Sequence, residues 1–141
     1  MLERSAYEYV LLRIVPRVER GETINAGVIL ICRAHRFLQA AVGLDRLRFH
    51  ALFPEMRTSD VDELERQLEL ICRIARGDPS AGPIAGLELA ERWHWLAAPA
   101  STMIQPSPIH TGLCVDPEKE LDLVFRSMVM TGPVRNPAER R

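Results

Sequence analysis

Three segments in the first third of the chain have the pattern of β-strands. Residues 6–15, 24–32 and 37–44 are apolar, contain aromatic or β-branched residues, and are separated by short polar links. Gly27 interrupts the second segment, which is typical of a bulge or of a close approach between two backbones. Because consecutive strands with short links usually pair with one another, the pattern predicts an antiparallel three-strand meander.

Apolar residues recur at three- and four-residue intervals in much of the remaining chain, as they do on the buried side of a helix. The longest stripe follows Ser59, where the acid Asp62 three positions later resembles a capping box, and it stops at Gly77. Helices are predicted, in chain order, over residues 44–53, 59–76 and 87–98 and from Asp116-Pro117 onward. A fourth strand is predicted over residues 102–105, before two prolines.

These elements predict an α+β fold: a small antiparallel sheet, made of the meander and the fourth strand, with two or three helices packed on one side of it. The length of 141 residues suits one domain with its own hydrophobic core. We expect that domain to span residues 1–130. The polar, proline-containing residues 131–141 are expected to form a flexible tail.

Composition adds limits on the kind of partner. The chain is 47% hydrophobic and 26% charged, and its net charge is −1, so no overall basic field attracts nucleic acid. Arginines cluster in two predicted turns, where they could contact phosphates, but neighbouring glutamates dilute that charge. The clustered residues are Arg17, Arg20, Arg33 and Arg36, with Arg13 nearby. A solvated rim is therefore the favoured interpretation, and nucleic acid is an unlikely partner.

No apolar run approaches the length of a membrane span, and the first residues lack the pattern of a signal peptide, so a cytoplasmic location and no membrane contact are expected. Three widely spaced cysteines, Cys32, Cys72 and Cys114, are interpreted as reduced thiols that are mostly buried. They show no paired metal-binding spacing, and no cofactor motif is present. We predict neither a metal nor a cofactor.

Residues 91–114 differ from the rest of the chain, because two Trp, two His and several hydroxyl and amide side chains lie among three prolines. Prolines stiffen a loop, and a stiff loop with polar side chains is a good way to present a binding site. The candidate binding residues are Arg92, His94, Trp95, Ser101, Gln105, Ser107, His110 and Thr111. For each of them a structural role, in an aromatic cluster or a hydrogen-bonded loop, remains the alternative.

Motifs for specific chemistry are missing from this segment. Ser101 and Ser107 have no GxSxG elbow and no nearby acid, so an activated serine is not favoured. The glycines at 82 and 86 lack the Lys-Ser/Thr of a P-loop. Whether the protein is an enzyme stays open, with the balance against it.

Two long segments resemble a known family. The order YEY, RGE, N-x-G-V and QPSP-x-HTG, followed by a closing helix, is similar to that of the bacterial domain-of-unknown-function 3037 family. The likeness covers nearly the whole chain. Its pattern falls on these residues, none of which brings an established role: Asn25, Gly27, Trp95, Ser101, Thr102, Gln105, Pro106, Ser107, His110, Thr111 and Gly112. Because such proteins are often encoded beside a HipA-like kinase, the resemblance implies a kinase-like partner and implies no activity.

Two hypotheses follow. In the first, the protein is a non-catalytic interaction or regulatory module that binds a kinase-like partner through residues 91–114, and exposed Trp side chains anchor the contact. In the second, it is a small enzyme or a binder of a phosphorylated small molecule or nucleotide. That second hypothesis requires one pocket that is lined by Arg92, His94, Gln105, Ser107 and His110.

Overall fold

The computed structural model describes residues 2–100 and 102–130, which form an α+β fold with an open antiparallel sheet. The strands are β1 (Ser5–Ile14), β2 (Ile24–Cys32), β3 (Phe37–Val42), β4 (Ile104–Pro106) and β5 (His110–Cys114). The helices are α1 (Arg46–Leu52), α2 (Thr58–Ala75), α3 (Leu89–Ala97) and α4 (Pro117–Met128). Ser101 and the predicted tail at 131–141 lie outside the described residues.

The predicted meander is confirmed, since β1 pairs with β2 and β2 pairs with β3, both antiparallel. The other side of β1 pairs with two short strands in turn: β4 lies beside Leu12–Ile14 and β5 lies beside Ser5–Tyr9. The predicted fourth strand is thus present, and β5 adds a strand that the sequence pattern did not indicate. Together β4 and β5 act as one interrupted edge strand.

A β-bulge in β2 lies next to the glycine at its centre. Leu12 pairs with Gly27 but Arg13 pairs with Asn25, so Ala26 is the extra residue. A side chain at Gly27 would place its Cβ 3.0 Å from both Leu12 Cδ1 and Val42 Cγ1. The close approach predicted for Gly27 holds at this position, and the bulge lies at the neighbouring Ala26.

Helices cover both faces of the sheet, so the prediction that they lie on one side is wrong. Residues of even number in β1, such as Val10 and Leu12, pack against α1, α2 and α3. The opposite face of β2, with Val28, Leu30 and Cys32, packs against α4. The physical reason lies in the strand pattern: β2 is buried along nearly its whole length, and a strand that is apolar on both sides needs a cover on each.

The caps agree with the sequence in one helix and differ in another. Asp116 accepts hydrogen bonds from the backbone N–H groups of Glu118 and Lys119, so α4 begins where the sequence predicts. The long helix α2 begins at Thr58 instead of after Ser59, and its third residue, Asp60, accepts from the backbone N–H of Arg57. In the described part of the chain, no helix has both the length and the apolar character to cross a membrane.

Candidate functional site

Residues 91–114 do not form the continuous stiff loop that the sequence suggests. They contain most of α3, then β4 and β5. The prolines do break the chain, but they do so at the ends of elements: Pro99 follows α3, Pro106 closes β4 and Pro108 lies in the gap before β5. The fold therefore distributes the candidate side chains over a helix and an edge strand, and neighbours in sequence point to different faces of the sheet.

The two tryptophans of α3 have opposite environments. Trp93 is 2% exposed and belongs to the main core, whereas Trp95, two positions on, is 61% exposed. Two residues along a helix correspond to a turn of about 200° about its axis, which explains the difference. Trp93 is thus a core residue, and Trp95 lies on the outer side of the helix.

Arg92 and Gln105 bind nearby backbone groups. One guanidinium nitrogen of Arg92, Nη1, donates to the carbonyl of Leu87 at 2.8 Å, where the chain enters α3. The amide nitrogen of Gln105 donates to the carbonyl of Thr102 at 2.9 Å, across the turn into β4. Both side chains fix local geometry, although each retains hydrogen-bonding groups that these contacts do not use.

Ser107 joins the two halves of the interrupted edge strand to β1. Its hydroxyl accepts from the backbone N–H of Leu11 at 2.8 Å and donates to the carbonyl of Pro108, also at 2.8 Å. Its own backbone N–H donates to the carbonyl of Leu11. The side chain is buried. The hydroxyl of Ser107 therefore replaces a backbone acceptor that the ladder lacks between β4 and β5.

His110 lies on the α4 side of the sheet in a row of aromatic rings. Its ring stacks on Tyr9 with a centroid distance of 5.0 Å, and Tyr9 in turn neighbours Tyr7 at 6.1 Å. The Tyr7 hydroxyl donates to Glu120 Oε2 at 2.9 Å. Burial and this hydrogen bond raise the pKa of Tyr7 well above its usual value, so it remains a neutral donor.

The candidate residues do not converge on one pocket. His94 lines a shallow groove of about 380 Å³ on the α3 side, together with Glu8, Ala97 and Ile109. Thr111 pairs with Glu8 and so lies on that same side, whereas His110 lies on the other. The five residues that the enzyme hypothesis requires, Arg92, His94, Gln105, Ser107 and His110, are consequently not assembled by the described fold.

The outer edge of β5 has no strand beside it in the described sheet. The backbone N–H and C=O of Leu11 point toward the β4–β5 edge. Because the direction of these backbone groups alternates along a strand, those of Tyr9 and Tyr7 point to the same edge. The backbone groups of their partners, His110 and Gly112, therefore bond to β1. Those of Thr111 and Leu113 point to the opposite side, away from the sheet. This edge offers unpaired donors and acceptors.

Exposed apolar side chains accompany this open edge. Ile109 is 49% exposed and Leu113 is 61% exposed. With Thr111 between them, they alternate along the strand and share the face that carries the groove. At the opposite edge of the sheet, β3 has no large apolar side chain that is exposed, and α2 and α4 pack against it from the two faces.

The family is decided by a comparison with protein-family models. The model described as "Protein of unknown function (DUF3037)" matches residues 9–129, which is most of the chain. The chain belongs to the DUF3037 family. No curated protein and no solved structure matches it.

Two thiols of this DUF3037 protein are held in their protonated form by burial. Burial raises the pKa of the Cys114 thiol to about 11, and it raises that of Cys72 to about 11 as well, so both are protonated at neutral pH. Within residues 2–100 and 102–130, no group of three or more His, Cys, Asp or Glu side chains is placed to hold a metal ion.

Three of the four arginines in the basic turns of the DUF3037 protein form ion pairs in the described residues, and Arg36 forms none of them. Arg17 pairs with Glu19 and Arg20 pairs with Glu22 at one end of the meander, where β1 turns into β2. At the other end Arg33 pairs with Glu8, beside the groove. Such exposed pairs contribute little to stability, but they lower the positive charge that these turns present to a phosphate.

Sequence reasoning missed Ile109 and Leu113 as exposed residues beside an open strand edge. The signal was weak: the apolar residues Ile109, Leu113 and Val115 share odd-numbered positions, but the polar residue Thr111 stands between the first two. Gly112 and the prolines made the segment resemble a loop. The pairing partner of this short strand lies about a hundred residues earlier in the chain, and local pattern cannot identify it.

Replacing Ser107 with alanine should lower the free energy of unfolding by about 1–3 kcal/mol, because the N–H of Leu11 loses its acceptor in a buried place. Urea unfolding followed by circular dichroism measures this difference. Ser127→Ala is the control, since that serine is exposed on α4. Equal stability of Ser107→Ala and the wild type would contradict the role of the hydroxyl.

Proposed function

We propose that this DUF3037 protein is a non-catalytic protein-interaction module that binds an extended segment of a partner by strand addition along β5. The observation that carries the proposal is the open β5 edge, where outward backbone groups at Thr111 and Leu113 accompany exposed Ile109 and Leu113 side chains. Many small domains bind peptides in this way: backbone hydrogen bonds supply affinity, and alternate side chains supply specificity.

The groove beside the edge supports the choice of occupant. A strand added to β5 would project alternate side chains toward the α3 side, where Ile109, Ala97 and His94 border the groove. The Glu8–Arg33 ion pair at the same groove offers both signs of charge to polar residues of the segment. An extended segment with alternating apolar residues fits these features, and we expect it to lie antiparallel or parallel to β5 with its apolar side chains on the groove side.

The partner that we propose is the kinase-like protein that the family resemblance implies. Natural proteins usually protect an edge strand with lysine, proline or a covering element. Residues 110–114 contain neither lysine nor proline, and no strand of the described sheet covers them. A partner that binds along β5 would explain why this edge lacks such protection. Regulation of that partner would then require only binding, and no chemistry by this chain.

Leu113→Lys should weaken partner binding about tenfold or more, because a charged side chain on an edge opposes strand addition. Thr111→Pro should act similarly, since it removes an outward N–H while leaving the inward ladder bonds of His110 and Gly112 in place. The measurement is a tagged pull-down from the native host, with mass spectrometry and then titration of the purified partner.

Leu123→Lys is the matched control, because Leu123 is 57% exposed and belongs to α4 instead of β5. A stoichiometric partner that binds wild type and Leu123→Lys, and is lost from both edge variants, would support the proposal. A partner that binds all four proteins equally would refute the edge as the binding surface. Self-association that Leu113→Lys abolishes would show that a second copy of the chain takes this edge.

A further inference from the structure

Arg13 lies near the end of the inner strand β1, on the α4 side of the sheet. It lies in β1, whose odd-numbered residues face that side, and it pairs with Asn25 of β2 and Gln105 of β4. The side chain of Asn25 confirms the direction, because its amide nitrogen donates to the carbonyl of Met128 in α4 at 3.0 Å. Three polar side chains thus form a row across three strands, which we name the Arg13 row.

The guanidinium of Arg13 lacks a counter-charge among the described residues. Its Nε is buried and has no hydrogen-bond partner, and none of the ion pairs in the described chain involves Arg13. A partly buried arginine is costly unless its charge is paired, and an unsatisfied buried donor needs an explanation. An ion or a ligand with negative charge is the group that would satisfy both demands.

The neighbours of Arg13 add donors and no carboxylate. Asn25 and Gln105 each use one amide N–H, toward Met128 and Thr102, and each NH₂ group has a second N–H. Asn25 and Gln105 are the cross-strand neighbours of Arg13 on the two sides of β1, so both amide side chains start from backbone positions directly beside it. This is a set of donors for an oxyanion.

The Arg13 row is partly open to solvent. The helix α4 packs on β2 and β3, and it ends at Met128 beside Asn25. Arg13, Asn25 and Gln105 all retain partial contact with solvent. A solute can therefore approach the row from the part of the face that lies over β1 and β4.

We propose that Arg13, Asn25 and Gln105 bind an oxyanion, a phosphate or carboxylate group of a small molecule, on the face of the sheet opposite the groove. The planar fork of the guanidinium matches either group with two parallel hydrogen bonds. The site is separate from the β5 edge, because Arg13 faces the α4 side and the groove lies on the α3 side. It does not depend on the proposed function.

The test follows the Arg13 Nε–H signal and the side-chain amide signals of Asn25 and Gln105 by NMR, while inorganic phosphate or acetate is added at constant ionic strength. Saturable shifts of all three groups, lost in Arg13→Met and at least fivefold weaker in Arg13→Lys, are expected. Saturation at a lower concentration of phosphate than of acetate assigns a phosphoryl ligand, and the reverse order assigns a carboxylate.

Arg48→Met is the control, since Arg48 is an exposed arginine on α1. It should leave the titration unchanged. In chloride, Arg13→Met should melt no lower than wild type, because it removes an unpaired charge and keeps the length of the side chain. The proposal is overturned if neither anion gives a saturable shift in the millimolar range, or if Arg13→Met unfolds in chloride, which would assign a purely structural role.

Discussion

Trp93→Ala should lower the free energy of unfolding by about 3–5 kcal/mol, the largest loss that we expect from a single substitution in this chain. Trp93 is almost completely buried where α3 packs on the sheet, and it is among the largest fully buried side chains of the described residues. Removal of the indole leaves a cavity that the rigid sheet beneath cannot fill. Urea unfolding followed by far-ultraviolet circular dichroism measures the change.

Trp95→Ala is the matched control for that experiment. It changes the same residue type in the same helix, but at an exposed position, so its effect on stability should stay within about 0.5 kcal/mol. Fluorescence offers a second measurement of the environment of Trp93. The Trp95→Phe variant keeps Trp93 as the only indole of the protein, so its emission reports on that buried site alone. Similar losses of stability for Trp93→Ala and Trp95→Ala would contradict the assignment of the two faces of α3.

Gly112→Ala should destabilise the protein by about 1–3 kcal/mol through overpacking. A Cβ at this position would lie 2.6 Å from Cζ of Tyr7, and the ring cannot move freely because its hydroxyl is held by Glu120. Glycine is required at position 112 because a side chain would collide with Tyr7. Its backbone is not in the left-handed conformation. Gly86→Ala is the control, since a Cβ there meets nothing within 4 Å, and it should change stability by less than about 0.5 kcal/mol.

The identity of the crowding group can be tested with a double-mutant cycle. In a Tyr7→Ala background the ring is absent, so the added cost of Gly112→Ala should fall to about 0.5 kcal/mol or less. In a Tyr7→Phe background the ring stays and only the hydroxyl is lost, so most of the cost should remain. If Gly112→Ala lowers the free energy of unfolding by the same amount in both backgrounds, the added methyl group collides with something other than the ring of Tyr7.

Local sequence pattern was sufficient for most of the individual elements. The meander β1–β2–β3, the long helix α2 and the start of α4 at Asp116 and Pro117 all agree with their predicted positions to within about two residues. These elements have long periodic stripes or defined caps, and the physical signals for both lie within a few residues of one another. The same locality explains why the bulge beside Gly27 could be anticipated.

Prediction failed where an element depends on a distant partner. The strand β5 is five residues long, contains Gly112 and becomes a strand because β1 binds it along Ser5–Tyr9. The side of the sheet that α4 covers is likewise set by packing and not by the periodicity of the helix, so the expectation of helices on one side was wrong. Neither outcome is encoded in a short window of sequence.

The candidate site shows the same division. The unusual composition of residues 91–114 drew attention to this part of the chain. From the sequence, however, its polar and aromatic side chains were expected to lie together in one loop. The fold separates His94 and Thr111 on the α3 side from His110 on the α4 side, and it turns Trp93 inward. Alternation along a strand places neighbouring side chains on opposite faces, so closeness in sequence did not produce a shared pocket.

The sequence by itself determined the fold class, the meander, the main helices and membership of the DUF3037 family, since each depends on local patterns or on motifs that can be recognised in order. Only the tertiary structure decided that β5 is an open edge of the described sheet, and that Arg13 pairs with Asn25 and Gln105 and has no counter-charge among the described residues. Both features arise when distant strands pair. Strand pairing fixes which backbone groups stay unpaired and which side chains become neighbours, and no local signal carries that information.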